Sequence, residues 1–158
     1  MKTSIVTFLI TFCFYLSAYA QASQDKAAEL KEQALSSLKQ KDYIKARYLF
    51  KKAYEAFAAR ENYPQAIECG IQANALYVRE NFYKEGFELC RDMEQFIWTG
   101  EQKQKKVFYD LRFPISKERL QMYIALKNPA QAKNQLDKLE EMVNGGAKKS
   151  VAMPAMGM

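Results

Sequence analysis

Few side chains in this sequence are suited to chemistry, and histidine is absent from all 158 residues. Its absence excludes Ser-His-Asp and Cys-His mechanisms and most zinc and iron sites. Glu140 and Glu141 are adjacent carboxylates, but neighbouring residues on a helix diverge by about 100°, so the two do not converge on one substrate atom. The six glycines form no phosphate-binding loop. These residues predict a protein without catalytic activity, metal or cofactor.

Sulfur atoms supply the remaining candidate ligands. Cys69 and Cys90 lie on apolar stripes of two predicted helices that turn near Glu80 and Asn81, which places the thiols at nearly the same height. The sequence allows either a disulfide between these cysteines or two buried free thiols, and it favours the free thiols. Thioethers near the end of the chain are of the type that selects Cu(I), so a copper-handling protein that uses them and the thiols is an alternative: Met153, Met156, Met158.

The first twenty residues have the pattern of a signal peptide. Lys2 is a positive start, residues 5–16 are almost wholly apolar, and Ala18-Tyr19-Ala20 gives the small-x-small pattern that a signal peptidase cuts. The apolar run is shorter than the roughly 20 residues that cross a membrane, although an uncleaved anchor is the alternative. We predict export to the periplasm, one domain over residues 21–144 and a flexible, Met-containing tail over residues 145–158.

The net charge of +6 comes from 24 basic and 18 acidic side chains. Lys and Glu are interleaved rather than grouped, which is typical of a solvated helical surface. Export argues against a nucleic acid partner. The excess of positive charge instead favours weak attraction to an acidic protein or to anionic lipid.

The spacing of apolar residues predicts helices throughout. They recur at steps of three and four in two helices joined at residues 40–42, where Asp42 is placed to cap the second: Ala27, Leu30, Ala34, Leu38, then Ala46, Leu49, Phe50, Ala53, Phe57. A second hairpin begins after Asn62 and turns at Asn81. Thr99 with Gln102 resembles a capping box that opens another helix, and the last helix runs from Asn128 to Asn144 before two glycines.

These hairpins resemble the tetratricopeptide repeat family, in which small residues and aromatics recur at fixed positions. The segment around Asp42 matches the family best, and two later units match in part. The matching residues are Ala34, Tyr43, Ala46, Phe50, Ala53, Tyr77, Tyr83, Gly86, Tyr123, Ala132. The resemblance implies an all-α, right-handed solenoid of antiparallel helical hairpins with about six helices. Spacing departs from the family, since Tyr43 to Tyr83 is 40 residues and Tyr83 to Pro129 is 46. We place the extra length within Trp98 to Phe113, where Val107, Phe108 and Leu111 suggest an added helical segment that is broken or kinked before Pro114.

In that family the first helix of each unit lines a concave binding groove. Carried over position by position, the groove residues are Lys31, Leu35, Lys39, Ile71, Ala75, Arg79, Lys117, Gln121 and Ala125. They describe an apolar groove with a basic rim, which suits an extended peptide or a helix that carries acidic residues. For Leu35 and Ile71, burial against a neighbouring helix is an equal alternative. Trp98 is expected to cover the apolar edge of the second hairpin rather than to contact a ligand.

A signal peptide followed by such repeats is similar to the exported half of bacterial membrane-anchored signalling proteins whose cytoplasmic part resembles a histidine kinase or a transcriptional regulator. The resemblance implies a protein-interaction or ligand-sensing module, and we expect a shortened member because that later machinery is not in the sequence. An envelope assembly factor that grips a client protein is another alternative. The last helix has no predicted partner after it, so a homodimer through this end is also open.

Overall fold

The computed structural model describes residues 26–151, and these residues form six helices and no strand. The first helix, α1, covers residues 26–39. It is followed by α2 (Tyr43–Ala58), α3 (Tyr63–Arg79), α4 (Tyr83–Gln104), α5 (Tyr109–Ala125) and α6 (Pro129–Val151). The predicted all-α class with helical hairpins is confirmed. The predicted signal peptide and Met153, Met156 and Met158 lie outside the described residues.

The extra length of the second repeat interval lies in one helix. α2 has 16 residues and α4 has 22, whereas α3 and α5 both have 17. The extra length thus falls within the predicted stretch from Trp98 to Phe113, as a longer α4 that ends at Gln104. It forms no separate helical segment, because Val107 and Phe108 lie in the link between α4 and α5 and Leu111 belongs to α5. The capping box at Thr99 is also wrong: the Thr99 hydroxyl donates to the carbonyl of Gln95 at 2.9 Å within a continuous helix.

Helix α5 continues through Pro114 instead of breaking before it. Proline removes the amide that would bond to the carbonyl four residues earlier and crowds that carbonyl. Here the affected carbonyl belongs to Asp110, the second residue of the helix. The proline therefore removes one backbone hydrogen bond in the first turn. Helix α6 likewise runs to Val151 rather than ending at Asn144, because glycine within a helix costs only about 1 kcal/mol relative to alanine.

The links between helices share one backbone geometry. Within residues 26–151, four of them place a left-handed residue directly before the N-cap: Lys41, Glu61, Asn81 and Lys127, with φ of 61°, 56°, 63° and 53°. Asp42, Asn62 and Asn128 then accept a hydrogen bond from the amide three residues later, at 3.1, 3.4 and 3.2 Å. These side-chain caps satisfy amides that the first turn leaves free.

Contacts between side chains show which helices lie together. Lys31 on α1 reaches Glu68 on α3, and Asn74 on α3 reaches Glu118 on α5, so each of these helices lies beside the next but one along the chain. The guanidinium of Arg47, near the start of α2, pairs with Glu80 at the end of α3, so these two helices are antiparallel. Each hairpin thus packs against the next one along the chain.

Small residues lie where helices approach each other most closely. Ala34, Ala46 and Ala53 are fully buried, as is the ring of Phe50 that fills the seam beside them. Gly86 is also buried. The other residues that match the repeat family are half-buried: Tyr43, Tyr77, Tyr83, Tyr123, Ala132.

Gly100 lies in the last two turns of α4 and is covered by the ring of Tyr63. A Cβ at Gly100 would stand 2.7 Å from the Tyr63 hydroxyl oxygen and nearer still to two ring carbons. The ring has little room to move, because it stacks on Phe96 at 4.5 Å and packs against Phe108 at 5.1 Å.

We therefore expect Gly100→Ala to lower the free energy of unfolding by about 1 to 3 kcal/mol through overpacking, despite the better helix propensity of alanine. Urea denaturation measures the change. Gly70→Ala is the matched control, because its new methyl meets the flexible side chain of Met93, which can shift, so its loss should be smaller. Unchanged or higher stability of Gly100→Ala would show that this packing is not as close as described.

Candidate functional site

Within each of α1, α3 and α5 the predicted groove residues recur at every fourth position, which places them on one face of that helix. Those exposed to solvent are Lys39, Ala75, Arg79, Lys117, Gln121 and Ala125. Leu35 and Ile71 are half-buried and pack against the core. The face is therefore polar and basic at its surface, and its two large aliphatic side chains form part of the floor.

Lys31 differs from the other cations of this face, because it has internal partners. Its ammonium nitrogen lies 2.7 Å from a carboxylate oxygen of Glu68 and donates to the amide oxygen of Gln65 at 2.9 Å. Both partners are on α3, so Lys31 ties α1 to α3. It has less freedom to meet a ligand than the sequence suggests.

Arg79 is exposed and held in place by an aromatic ring. Its guanidinium carbon lies 3.8 Å from the centroid of the Tyr43 ring, a cation–π contact that leaves the edge of the guanidinium free to donate. Among the described residues, neither Arg79 nor Lys39 nor Lys117 forms an ion pair. Three cations of one face thus lack an acidic partner within the described chain.

A buried polar pair lies between α3 and α5. The amide nitrogen of Asn74 donates to a carboxylate oxygen of Glu118 at 3.1 Å, and both side chains are buried. Burial raises the pKa of Glu118, and the hydrogen bond from Asn74 offsets this only in part. The amide oxygen of Asn74 has no hydrogen-bond partner. Gly86 makes room for this pair, because a Cβ there would stand 3.1 Å from that oxygen.

A second buried carboxylate, Glu101, fastens the link between α4 and α5, and sequence analysis missed it. It accepts hydrogen bonds from the Phe108 amide at 2.7 Å and from Nε of Arg112 at 2.8 Å, and it also pairs with the terminal guanidinium nitrogen of Arg112. The hydrogen bond from Arg112 is the largest cause that lowers the pKa of Glu101. The eleven-residue separation of the pair in sequence gives no local pattern that would have revealed it.

The two thiols are free and fully buried. Burial raises the pKa of Cys69 and of Cys90 to about 12, so both stay protonated near neutral pH. A metal ligand must be a thiolate, so a metal ion bound at either cysteine would have to displace this proton. No group of three or more Cys, Asp or Glu side chains within the described residues is arranged to hold a metal ion.

Trp98, which the sequence predicts to cover the apolar edge of the second hairpin, is half-exposed. It lies on α4 with 52% of its surface exposed. It borders a cavity between α4, α5 and α6, on helices other than those that carry most of the predicted groove.

Comparison with protein-family models, with curated proteins and with solved structures found no match for this chain. Among residues 26–151, no helix combines the length and the apolar character that a membrane crossing needs. The assignment of function therefore depends on the residues and the geometry described above.

Proposed function

We propose that this chain is an exported, non-catalytic interaction module of the tetratricopeptide type, and that the shared face of α1, α3 and α5 binds an acidic peptide segment of a partner protein. The observation that carries the proposal is the set of exposed cations without acidic partners on this face: Lys39, Arg79, Lys117. A protein gains solubility from scattered charge, but a one-sided set of unpaired cations also attracts an acidic partner.

The side chains between these cations favour an extended peptide. Ala75 is small and exposed, so a peptide backbone can approach α3 closely beside it. The amide of Gln121 can both donate to and accept from that backbone. Arg79, oriented by Tyr43, presents a planar fork that matches a carboxylate in two-point hydrogen bonding.

The repeat-family assignment has support from packing rather than from comparison. Contacts from α1 to α3 and from α3 to α5, fully buried alanines and short links between helices are features that a stacked hairpin array needs. We extend this to a right-handed solenoid, and we retain the signal peptide over residues 1–20 and a sensing role in the envelope as parts of the proposal.

Selection from a library of random displayed peptides tests the proposed face. We expect enrichment of peptides rich in Asp and Glu, and a loss of affinity of about tenfold or more for the double variant Lys39→Glu, Arg79→Glu, because attraction becomes repulsion. Lys51→Glu, an exposed charge on α2, is the matched control and should bind as the parent does. Absence of acidic enrichment, or equal weakening by the control, would contradict this proposal.

The sequence also predicts two alternatives, a client-binding assembly factor and a homodimer. A client-binding assembly factor would use the same face, so identification of the bound protein separates it from a sensor. Leu136 and Val143 are exposed on α6, and a homodimer through this helix would cover them. Analytical ultracentrifugation of the parent chain and of Leu136→Glu distinguishes a dimer through α6 from a monomer.

A further inference from the structure

A cavity of about 460 Å³ opens between α4, α5 and α6. Its walls are single stripes of three helices: Arg91, Gln95 and Trp98 lie at helical spacing on α4, and the stripes on α5 and α6 face them. The volume lies within the range of small-molecule sites, about 300 to 1,000 Å³. None of these side chains belongs to the proposed peptide-binding face.

The charges around the cavity are strongly unbalanced. Four cations line it, and Glu94 is the one acid among its described lining residues: the cations are Arg91, Arg112, Arg119 and Lys138. Glu94 pairs with Arg119 at 2.9 Å, and Arg112 is paired with Glu101. Arg91 and Lys138 are exposed and form no ion pair with the described residues. An anion placed between them would find positive charge that is not yet neutralised.

Donors without partners also line this cavity. The Nε of Arg119 is buried and has no nitrogen or oxygen partner, although the same guanidinium pairs with Glu94 through its NH2 group and lies near the buried thiol of Cys90. Ser116 and Gln135 are buried polar residues of the lining, and no side-chain hydrogen bond joins either to the described residues. A buried donor without a partner costs about 1 to 3 kcal/mol, and a ligand oxygen would recover that cost.

Trp98 and Met142 supply apolar surface beside these polar groups. Trp98, the only tryptophan of the chain, is half exposed at the border of the cavity. A planar group that covered its ring would bury this apolar surface. Met142 on α6 is half-buried and adapts its shape to what packs against it. The lining therefore combines cationic donors with an aromatic wall.

We propose that this cavity is a binding site for a small carboxylate that also carries a planar apolar group. The carboxylate would lie between Arg91, Arg119 and Lys138, with Ser116 and Gln135 as hydrogen-bonding neighbours, and the planar group would stack on Trp98. The site is separate from the peptide-binding face, so the protein would respond to a small anion independently of its protein partner.

Trp98 allows a direct test, because its fluorescence reports on this cavity alone. Titration of the full chain with phthalate is expected to change that fluorescence saturably, and calorimetry should give the same affinity. Phthalamide, the uncharged isostere, should bind at least about tenfold more weakly because it lacks the charge that the arginines recognise. Equal binding of phthalamide, or no saturable binding of phthalate by either method, would overturn the proposal.

Variants of opposite expected sign sharpen the test. Arg91→Gln and Lys138→Gln should each weaken phthalate binding by about threefold to tenfold, because each removes one attractive charge. Glu94→Gln should instead tighten it, because it removes the only acid of the lining and frees Arg119. Lys39→Gln, on the peptide-binding face, should leave the affinity unchanged. Weakening by Lys39→Gln or by Glu94→Gln would contradict this site, whereas failure of the peptide selection alone would leave it standing.

Discussion

Glu101→Gln is expected to lower the free energy of unfolding at pH 7 by about 2 to 4 kcal/mol, a large part of the stability of a small domain. The carboxylate is 7% exposed and accepts three hydrogen bonds, two of them from Arg112. Glutamine keeps the shape but loses the charge, and its amide nitrogen would face a donor. The substitution leaves a guanidinium in a partly buried place without its counter-charge.

The effect of Glu101 should depend on pH in a definite direction. Its pKa is lowered from the ordinary value of 4.5, so the folded protein binds the proton less readily than the unfolded chain. The stabilisation is therefore complete above the unfolded pKa and is lost as pH falls through the folded pKa. Urea unfolding of the parent and the variant from pH 7 to pH 3 should show their difference shrink in acid.

Glu88→Gln is the control for this prediction, because Glu88 is exposed on the same helix and forms no ion pair with the described residues. Its stability should stay within about 0.5 kcal/mol of the parent. A loss at Glu101→Gln no larger than this control, or one that is independent of pH, would mean that the link between α4 and α5 is not fastened by this carboxylate.

The same substitution at Glu118 is expected to raise stability by about 1 to 2 kcal/mol at pH 7. Glu118 is as buried as Glu101, at 8% exposed, but its one described hydrogen bond comes from the neutral amide of Asn74. The attraction of exposed Lys117 and the amide of Asn74 offset only part of the cost of burying this charge, and glutamine removes the charge. The new amide can also donate to the oxygen of Asn74, which has no partner in the parent.

The pH dependence at Glu118 has the opposite sign. Burial raises its pKa, so the folded state prefers the protonated form, and stability declines as pH rises from the unfolded pKa of about 4.5 through the folded value. The advantage of Glu118→Gln over the parent should therefore be absent at low pH and grow toward neutral pH. Thermal and urea unfolding across this range measure it.

Asn74→Ala separates the two parts of this expectation. It removes the only described donor to Glu118, so it should destabilise the parent. In that background the gain from Glu118→Gln should be larger if the buried charge sets the cost, and smaller if the orphan oxygen of Asn74 does. Destabilisation by Glu118→Gln at pH 7 would show that the carboxylate has a favourable partner that the described contacts do not include. The two glutamates thus test whether hydrogen-bond and ion-pair partners, rather than burial, determine the sign of the change in stability.

Local patterns in the sequence predict most of the helices and the hairpins that they form. Apolar residues at steps of three and four, with Asp42, Asn62 and Asn128 before helix starts, predict most helix boundaries, because caps and amphipathic periodicity act over only a few residues. The tyrosines at the starts of three helices give a further sign of the repeat. Tyr43, Tyr63 and Tyr83 each open a helix at 20-residue spacing, so the repeat is visible at the level of single helices and not only of hairpins.

Which polar side chains pair with each other is visible only in the tertiary structure. Nothing local in the sequence distinguishes Glu101, which finds Arg112 eleven residues away, from Glu118, which finds only Asn74 forty-four residues away. The same holds for Lys31, which pairs with Glu68 on α3, and for Trp98, which borders a cavity lined by arginines from two helices. Periodicity fixes which face of a helix is buried, but side-chain partners across helices depend on packing distances of a few ångströms, which no short-range pattern encodes.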